Sequence, residues 1–136
     1  MENTKKQNKF FLHKKIMWIE DDEFFSALMT KRLSETGCTL VFISTGEEAV
    51  KVVGEENPDL IILDILLPGM GGFKVLEKIR EDERLKSTPV MILSNVGGQE
   101  NIDKAFALGV EKYFIKTAIS FQDIITEIEN ILRRKM

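Results

Sequence analysis

Four places in this 136-residue chain join a short apolar run to residues able to do chemistry. The run 16–19 leads into Glu20-Asp21-Asp22, the run 60–63 into Asp64, the run 90–93 into Ser94 and the run 113–115 into Lys116. The most apolar of them continues as LIILDILLPGMGG, residues 60–72, and carries one carboxylate, Asp64. A buried carboxylate without a partner costs several kcal/mol or takes up a proton. Gathered carboxylates also repel one another, and a hard cation is their natural partner. Mg²⁺ suits such a group, because it prefers oxygen ligands, keeps several waters and often shares phosphate oxygens. Asp64 is then also a candidate nucleophile, and the chemistry suggested is phosphoryl transfer onto a carboxylate. Mg²⁺ and the Lys116 ammonium would hold the developing charge, with Ser94 donating a hydrogen bond.

These residues meet only if the runs are strands of one parallel sheet. Runs at 16–19, 40–43, 60–63, 90–93 and 113–115 have strand length and are mostly bounded by polar or turn residues. Segments of helical period lie between them. The first covers 23–35, with Phe24, Leu28 and Leu33 read as facing inward. A second begins at Thr45, where Thr45 and Glu48 have capping-box spacing. The third, 73–80, places Phe73, Leu76 and Ile79 at helical offsets, and 99–108 stops at Gly109. The last, 121–132, follows Ser120, with Asp123 three residues later. The alternation predicts an α/β fold, (βα)5, doubly wound around a five-stranded parallel sheet with right-handed crossovers. In such sheets the site lies beyond the carboxyl ends of the strands. Residues 1–13 are mostly polar and read as a flexible extension; 14–136 form the domain, with no output domain after it.

Composition narrows the function. A formal charge of −3 lacks the basic excess of a nucleic-acid-binding domain. No run approaches the ~18 apolar residues of a membrane span, and the N-terminus has no signal-peptide apolar region. Cys38 is the only cysteine, so no intramolecular disulfide forms and a reducing cytoplasm fits. His13 is the only histidine, which excludes a histidine-cluster metal site.

The segments KIMWIEDDEF, PDLIILDILLPGMGGFKVLEKIR, TPVMILSN and GVEKYFIK carry a resemblance. Over roughly 14–133 the chain resembles the receiver domain of two-component response regulators, the chemotaxis-type single-domain receiver included. That resemblance implies a flavodoxin-like sheet with strand order 2-1-3-4-5. It implies that Asp64 is the phosphoacceptor and Lys116 the active-site lysine. Glu20 and Asp21 would hold Mg²⁺ directly or through water, with Asp64 and the backbone carbonyl of Leu66. Ser94 matches the hydroxyl that turns toward the phosphoryl group, and Tyr113 the aromatic switch that follows it. A histidine kinase or phosphotransfer protein would supply the phosphoryl group, and an unknown downstream protein would read the result. Such a domain catalyses its own aspartyl phosphorylation and dephosphorylation without being a conventional enzyme.

The chain departs from the family's commonest pattern in three ways. Thr117 follows Lys116 where proline is usual, so the loop is either trans or strained, a non-proline cis bond costing ~3 kcal/mol. Asn95 follows Ser94 where a small residue is common, and is expected to crowd the phosphoryl site or hydrogen-bond into it. Leu66 and Val96, each two residues past a key position, are apolar. They would neither orient nor readily admit the water that hydrolyses an acyl phosphate, which predicts a long-lived phosphoryl-Asp64. Plainer readings exist: a turn aspartate at 64, helix capping at 20–22 (the expected role of Asp22), a loop hydroxyl at Ser94, a surface Lys116, packing at Tyr113. Gly69, Gly71 and Gly72 read as turn positions. Two other functions compete with a phosphorylation switch. One is a pseudo-receiver, a protein-interaction module that no longer uses phosphate. The other is a haloacid-dehalogenase-type phosphatase, which needs a second aspartate where this chain has Leu66.

Overall fold

The computed structural model describes residues 11–134. Five strands alternate with five helices: β1 (Lys15–Ile19), α1 (Glu23–Leu33), β2 (Thr39–Ile43), α2 (Gly46–Glu56), β3 (Leu60–Leu63), α3 (Gly72–Glu81), β4 (Val90–Ser94), α4 (Gln99–Ala107), β5 (Lys112–Ile115) and α5 (Phe121–Arg134). The strands pair in parallel in the order β2-β1-β3-β4-β5. The expected fold and strand order are therefore those observed.

Local chemistry sets the helix starts. Side-chain oxygens of Asp22, Thr45 and Ser120 accept the backbone N–H three residues on, at 3.1, 3.2 and 3.0 Å. These caps satisfy N–H groups that a first helical turn leaves without partners. Gly109, at φ +81°, ends the α4 segment in a left-handed conformation.

Strand residues alternate between the two faces of the sheet. Met17, Ile19, Ile61, Leu63, Val90 and Ile92 pack with α2, α3 and α4 through residues such as Val53, Leu76 and Ala105. Ile16, Trp18, Leu60, Ile62, Met91 and Leu93 pack with α1 and α5 through Phe25, Met29, Leu33, Ile124 and Ile128. Both faces are covered, which is why the strands read as continuous apolar runs. Among the described residues no helix is long and apolar enough to cross a membrane.

Two expectations need correction. In α1 the inward residues are Phe25, Met29 and Leu33, whereas Phe24 is 75% exposed and Leu28 half-buried. Residues 25, 29 and 33 are apolar throughout and lie on one helix face, whereas the row of Phe24 and Leu28 continues into Arg32, so the first row is the one buried. The folded unit also begins before residue 14: Phe11 is fully buried in the cluster with α1 and α5. The rest of the predicted extension, 1–10, lies outside the described residues.

Candidate functional site

Among the described residues the buried polar side chains are Glu20, Asp64 and Ser94, each at the carboxyl end of a strand. Two backbone bonds continue the ladder past the strand ends. Glu20 N–H donates to the Ile43 carbonyl at 2.9 Å and Asp64 N–H to the Ile19 carbonyl at 3.0 Å. The sheet itself thus sets both carboxylates in place. Gly72 completes the turn after Asp64: a side chain there would strike Ile65 Cα and the Asp64 carbonyl oxygen. Close approach, more than turn conformation, is what requires this glycine.

Lys116 joins the two carboxylates. Its Nζ lies 2.8 Å from Glu20 Oε2 and 3.2 Å from Asp64 Oδ2. Asp64 Oδ1 accepts the Leu66 N–H at 2.9 Å, so both oxygens of the carboxylate are oriented. Desolvation is the main cause that pushes the Glu20 carboxyl up to about 7, against the hydrogen bond from Lys116; the Asp64 charge pushes it up further. Burial opposes the Lys116 ammonium, but its bond to Glu20 and the two carboxylate charges outweigh that and raise its pKa.

The residues present fit a hard cation. Glu20, Asp21 and Asp64 each offer an oxygen, and these atoms lie within 4.8 Å of one another. Glu20 Oε1 is buried with no hydrogen-bond partner, an uncommon condition for a carboxylate oxygen. Asp21 stands exposed beside it. An open cavity of about 430 Å³ is lined by these three together with Leu66, Asn95 and Lys116 among others. A hard oxygen-seeking ion there would satisfy the orphan oxygen and offset the clustered negative charge.

Ser94 and Tyr113 do not line that cavity. Ser94, fully buried, accepts the Val96 N–H at 3.2 Å, and the Tyr113 hydroxyl donates to the Val96 carbonyl at 2.6 Å. Both residues therefore grip one peptide segment of the loop after β4. Of the two apolar residues read as shielding the site, Leu66 lines the cavity and is 67% exposed. Val96 packs against the core instead. Asn95 lines the cavity, but its Oδ1 accepts the Thr117 N–H at 3.0 Å. The residue after Ser94 is thus tied to the residue after Lys116. A proline at 117 would have no N–H to give, so the two unusual residues satisfy each other. No cis peptide bond occurs among the described residues, and the Lys116–Thr117 bond is trans.

One neighbour of the site went unread in the sequence. The Phe25 ring centroid lies 4.9 Å from Lys116 Nζ. The recurrence of apolar residues at 25, 29 and 33 was the available signal. It competed with the register of Phe24 and Leu28, a shorter apolar row that ends at Arg32.

Comparison with known proteins agrees with the geometry. The response regulator receiver domain family matches residues 16–129. The chain is 39% identical over 103 residues to the Regulator of RpoS of Escherichia coli, covering 76% of this chain and 30% of that protein. It is 32% identical to the alkaline phosphatase synthesis transcriptional regulatory protein PhoP of Bacillus subtilis, covering 90% of this chain and 50% of PhoP. The chain thus spans half or less of the length of both relatives. In three dimensions it is similar to the BeF3-activated N-terminal receiver domain of Klebsiella pneumoniae RstA: TM-score 0.78, 27% identity, 88% of this chain and 98% of that one. The family match, the strand order and the acidic group at the strand ends lead to one conclusion: this chain belongs to the response regulator receiver domain family, the phosphorelay receivers of two-component signalling.

Proposed function

We propose that Asp64 is the phosphoacceptor of this receiver and that the chain catalyses its own phosphorylation and dephosphorylation there. The observation that carries the reading is a buried Asp64 held by Lys116 beside Glu20, whose second oxygen has no partner. Mg²⁺, held by Glu20, Asp21, Asp64 and the Leu66 carbonyl, would neutralise phosphoryl oxygens. An Asp64 oxygen attacks phosphorus, the new O–P bond forming as the N–P bond to a phosphohistidine breaks, and the departing imidazole keeps a proton. Lys116, already bonded to Asp64, then pairs with the phosphoryl oxygens. Ser94 turns from the Val96 N–H to donate to the phosphoryl group, and Tyr113, bonded to the other side of that residue, follows the loop.

The donor is a histidine kinase or a phosphotransfer protein, and the readout is a protein that recognises the face formed by α4, β5 and α5. Net charge of −3 argues against direct nucleic-acid contact by this domain, and the lone cysteine suits a cytoplasmic site. Leu66, apolar at the cavity wall, lengthens the life of the acyl phosphate by leaving the attacking water without a partner. Val96 supports that effect only through the loop that Ser94 and Tyr113 hold. Mass spectrometry after exposure to phosphoramidate and Mg²⁺ tests the acceptor. We expect a gain of one phosphoryl group that hydroxylamine removes and Asp64→Asn abolishes. A gain that persists in Asp64→Asn overturns the assignment.

A further inference from the structure

We infer that Phe25 is a positioning residue for Lys116, its ring face steadying the ammonium that reaches Asp64. The inference rests on the proposed role of Lys116 at the phosphoryl site. An ammonium carries three N–H donors. Here two meet carboxylate oxygens, of Glu20 at 2.8 Å and Asp64 at 3.2 Å. The Phe25 ring, with its centroid 4.9 Å from Nζ, lies within the ~6 Å over which an aromatic face attracts a cation. Water competes little, since the Lys116 side chain is 11% exposed and Phe25 is 8% exposed.

The ring is itself fixed from two directions. It meets Trp18 of β1 edge-on at 6.1 Å and Phe121, the first residue of α5, at 5.7 Å. Phe25 therefore refers the lysine head to the sheet and to the α5 terminus at once. The lysine needs such a reference. Its stem has four flexible carbons, it leaves an edge strand, and the turn Lys116–Ala118 that follows contains no proline. The Asn95–Thr117 bond fixes the backbone of that turn, and Phe25 fixes the charged end. If Phe25 were only core packing, an apolar ring of equal size and weaker face charge would serve as well.

Ring fluorination separates the two roles, because it drains negative charge from the face with little change of size. The full chain is made with phenylalanines bearing one, two or three ring fluorines at position 25, with Phe25→Leu and Lys116→Ala alongside. Phosphorylation by phosphoramidate with Mg²⁺ is timed. We expect the rate to fall stepwise to about a tenth at three fluorines, the scale of one such contact, with every variant still fully folded at the assay temperature by far-UV circular dichroism. The Lys116 ε-methylene protons should resonate upfield of the other lysines in wild type and lose that shift in Phe25→Leu. With Lys116→Ala the fluorine series should be flat. Rates independent of fluorination in the lysine-containing protein overturn the inference, as does an equal dependence without the lysine. Phosphorylation of Lys116→Ala at the wild-type rate overturns the proposed role of Lys116 and with it the functional consequence drawn for Phe25; the proton shift still shows separately whether the ring holds the ammonium.

Discussion

Lys116 answers the problem of two buried carboxylates facing each other: one ammonium serves both, at 2.8 and 3.2 Å. Removing one partner of a buried charge pair leaves the rest uncompensated and costs about 3–5 kcal/mol. Lys116→Ala should therefore lower the unfolding free energy by about 3 kcal/mol, and added Mg²⁺ should recover part of the loss; chemical denaturation with and without the ion measures both. Leu66 gives a second prediction on the same scale. Leu66→Asn should shorten the acyl-phosphate lifetime by supplying a polar group that orients water, and equal decay rates would sink the shielding idea. Tyr113 gives a third. Burial, aided by the Asp64 charge, raises its pKa above the ordinary 10. Ionisation is therefore disfavoured in the fold, and its contribution to stability is present below pH 10 and lost as pH climbs through the raised value. It is the only tyrosine, so phenolate absorbance reports it alone. The midpoint should lie above that of the urea-unfolded chain.

At the scale of elements, the loops after β4 and β5 act as one unit. Asn95 and Thr117 are joined at 3.0 Å, and the Val96 peptide between Ser94 and Tyr113 is held from both sides. Turning Ser94 away therefore frees a donor that only loop movement or solvent can satisfy, which makes the segment a natural two-state element. Thr117→Pro would bring back the family's common residue yet remove the N–H that Asn95 accepts. We expect Asn95→Ala and Thr117→Pro each to destabilise by about 1 kcal/mol, with the double variant costing less than their sum. Urea titrations of the four proteins measure the coupling, and strict additivity would show the bond to be idle.

For the molecule as a whole, the pattern legible in sequence was the one local physics dictates. A strand covered on both faces must be apolar throughout, and β1, β3 and β4 announce themselves that way. Helix starts showed in Asp22, Thr45 and Ser120 because a cap is a contact over three residues. Strand order came only with the family resemblance, since nothing in a strand's own residues names its neighbour. The candidate site residues were legible as strand ends, and their partners were not: Asn95 meets Thr117 across 22 positions, and Phe25 meets Lys116 across the gap between α1 and β5. Phe11 was missed for the same reason, its burial depending on α1 and α5. The same long-range closure yields the last prediction. The candidate ligands come from the ends of β1 and β3, so the cation site exists only when the sheet is assembled and the unfolded chain offers nothing comparable. Binding to the native state alone stabilises it by RT ln(1 + [L]/Kd), about 2.7 kcal/mol at a hundredfold excess over Kd. Mg²⁺ should raise the unfolding free energy by that amount in wild type and by much less in Asp21→Ala. That residue is exposed, so its loss weakens the site without opening the core. Trp18, fully buried two residues before Glu20 and in edge contact with Phe25, supplies the fluorescence signal for both the unfolding and the ion titration. An equal gain in the two proteins would place the ion elsewhere.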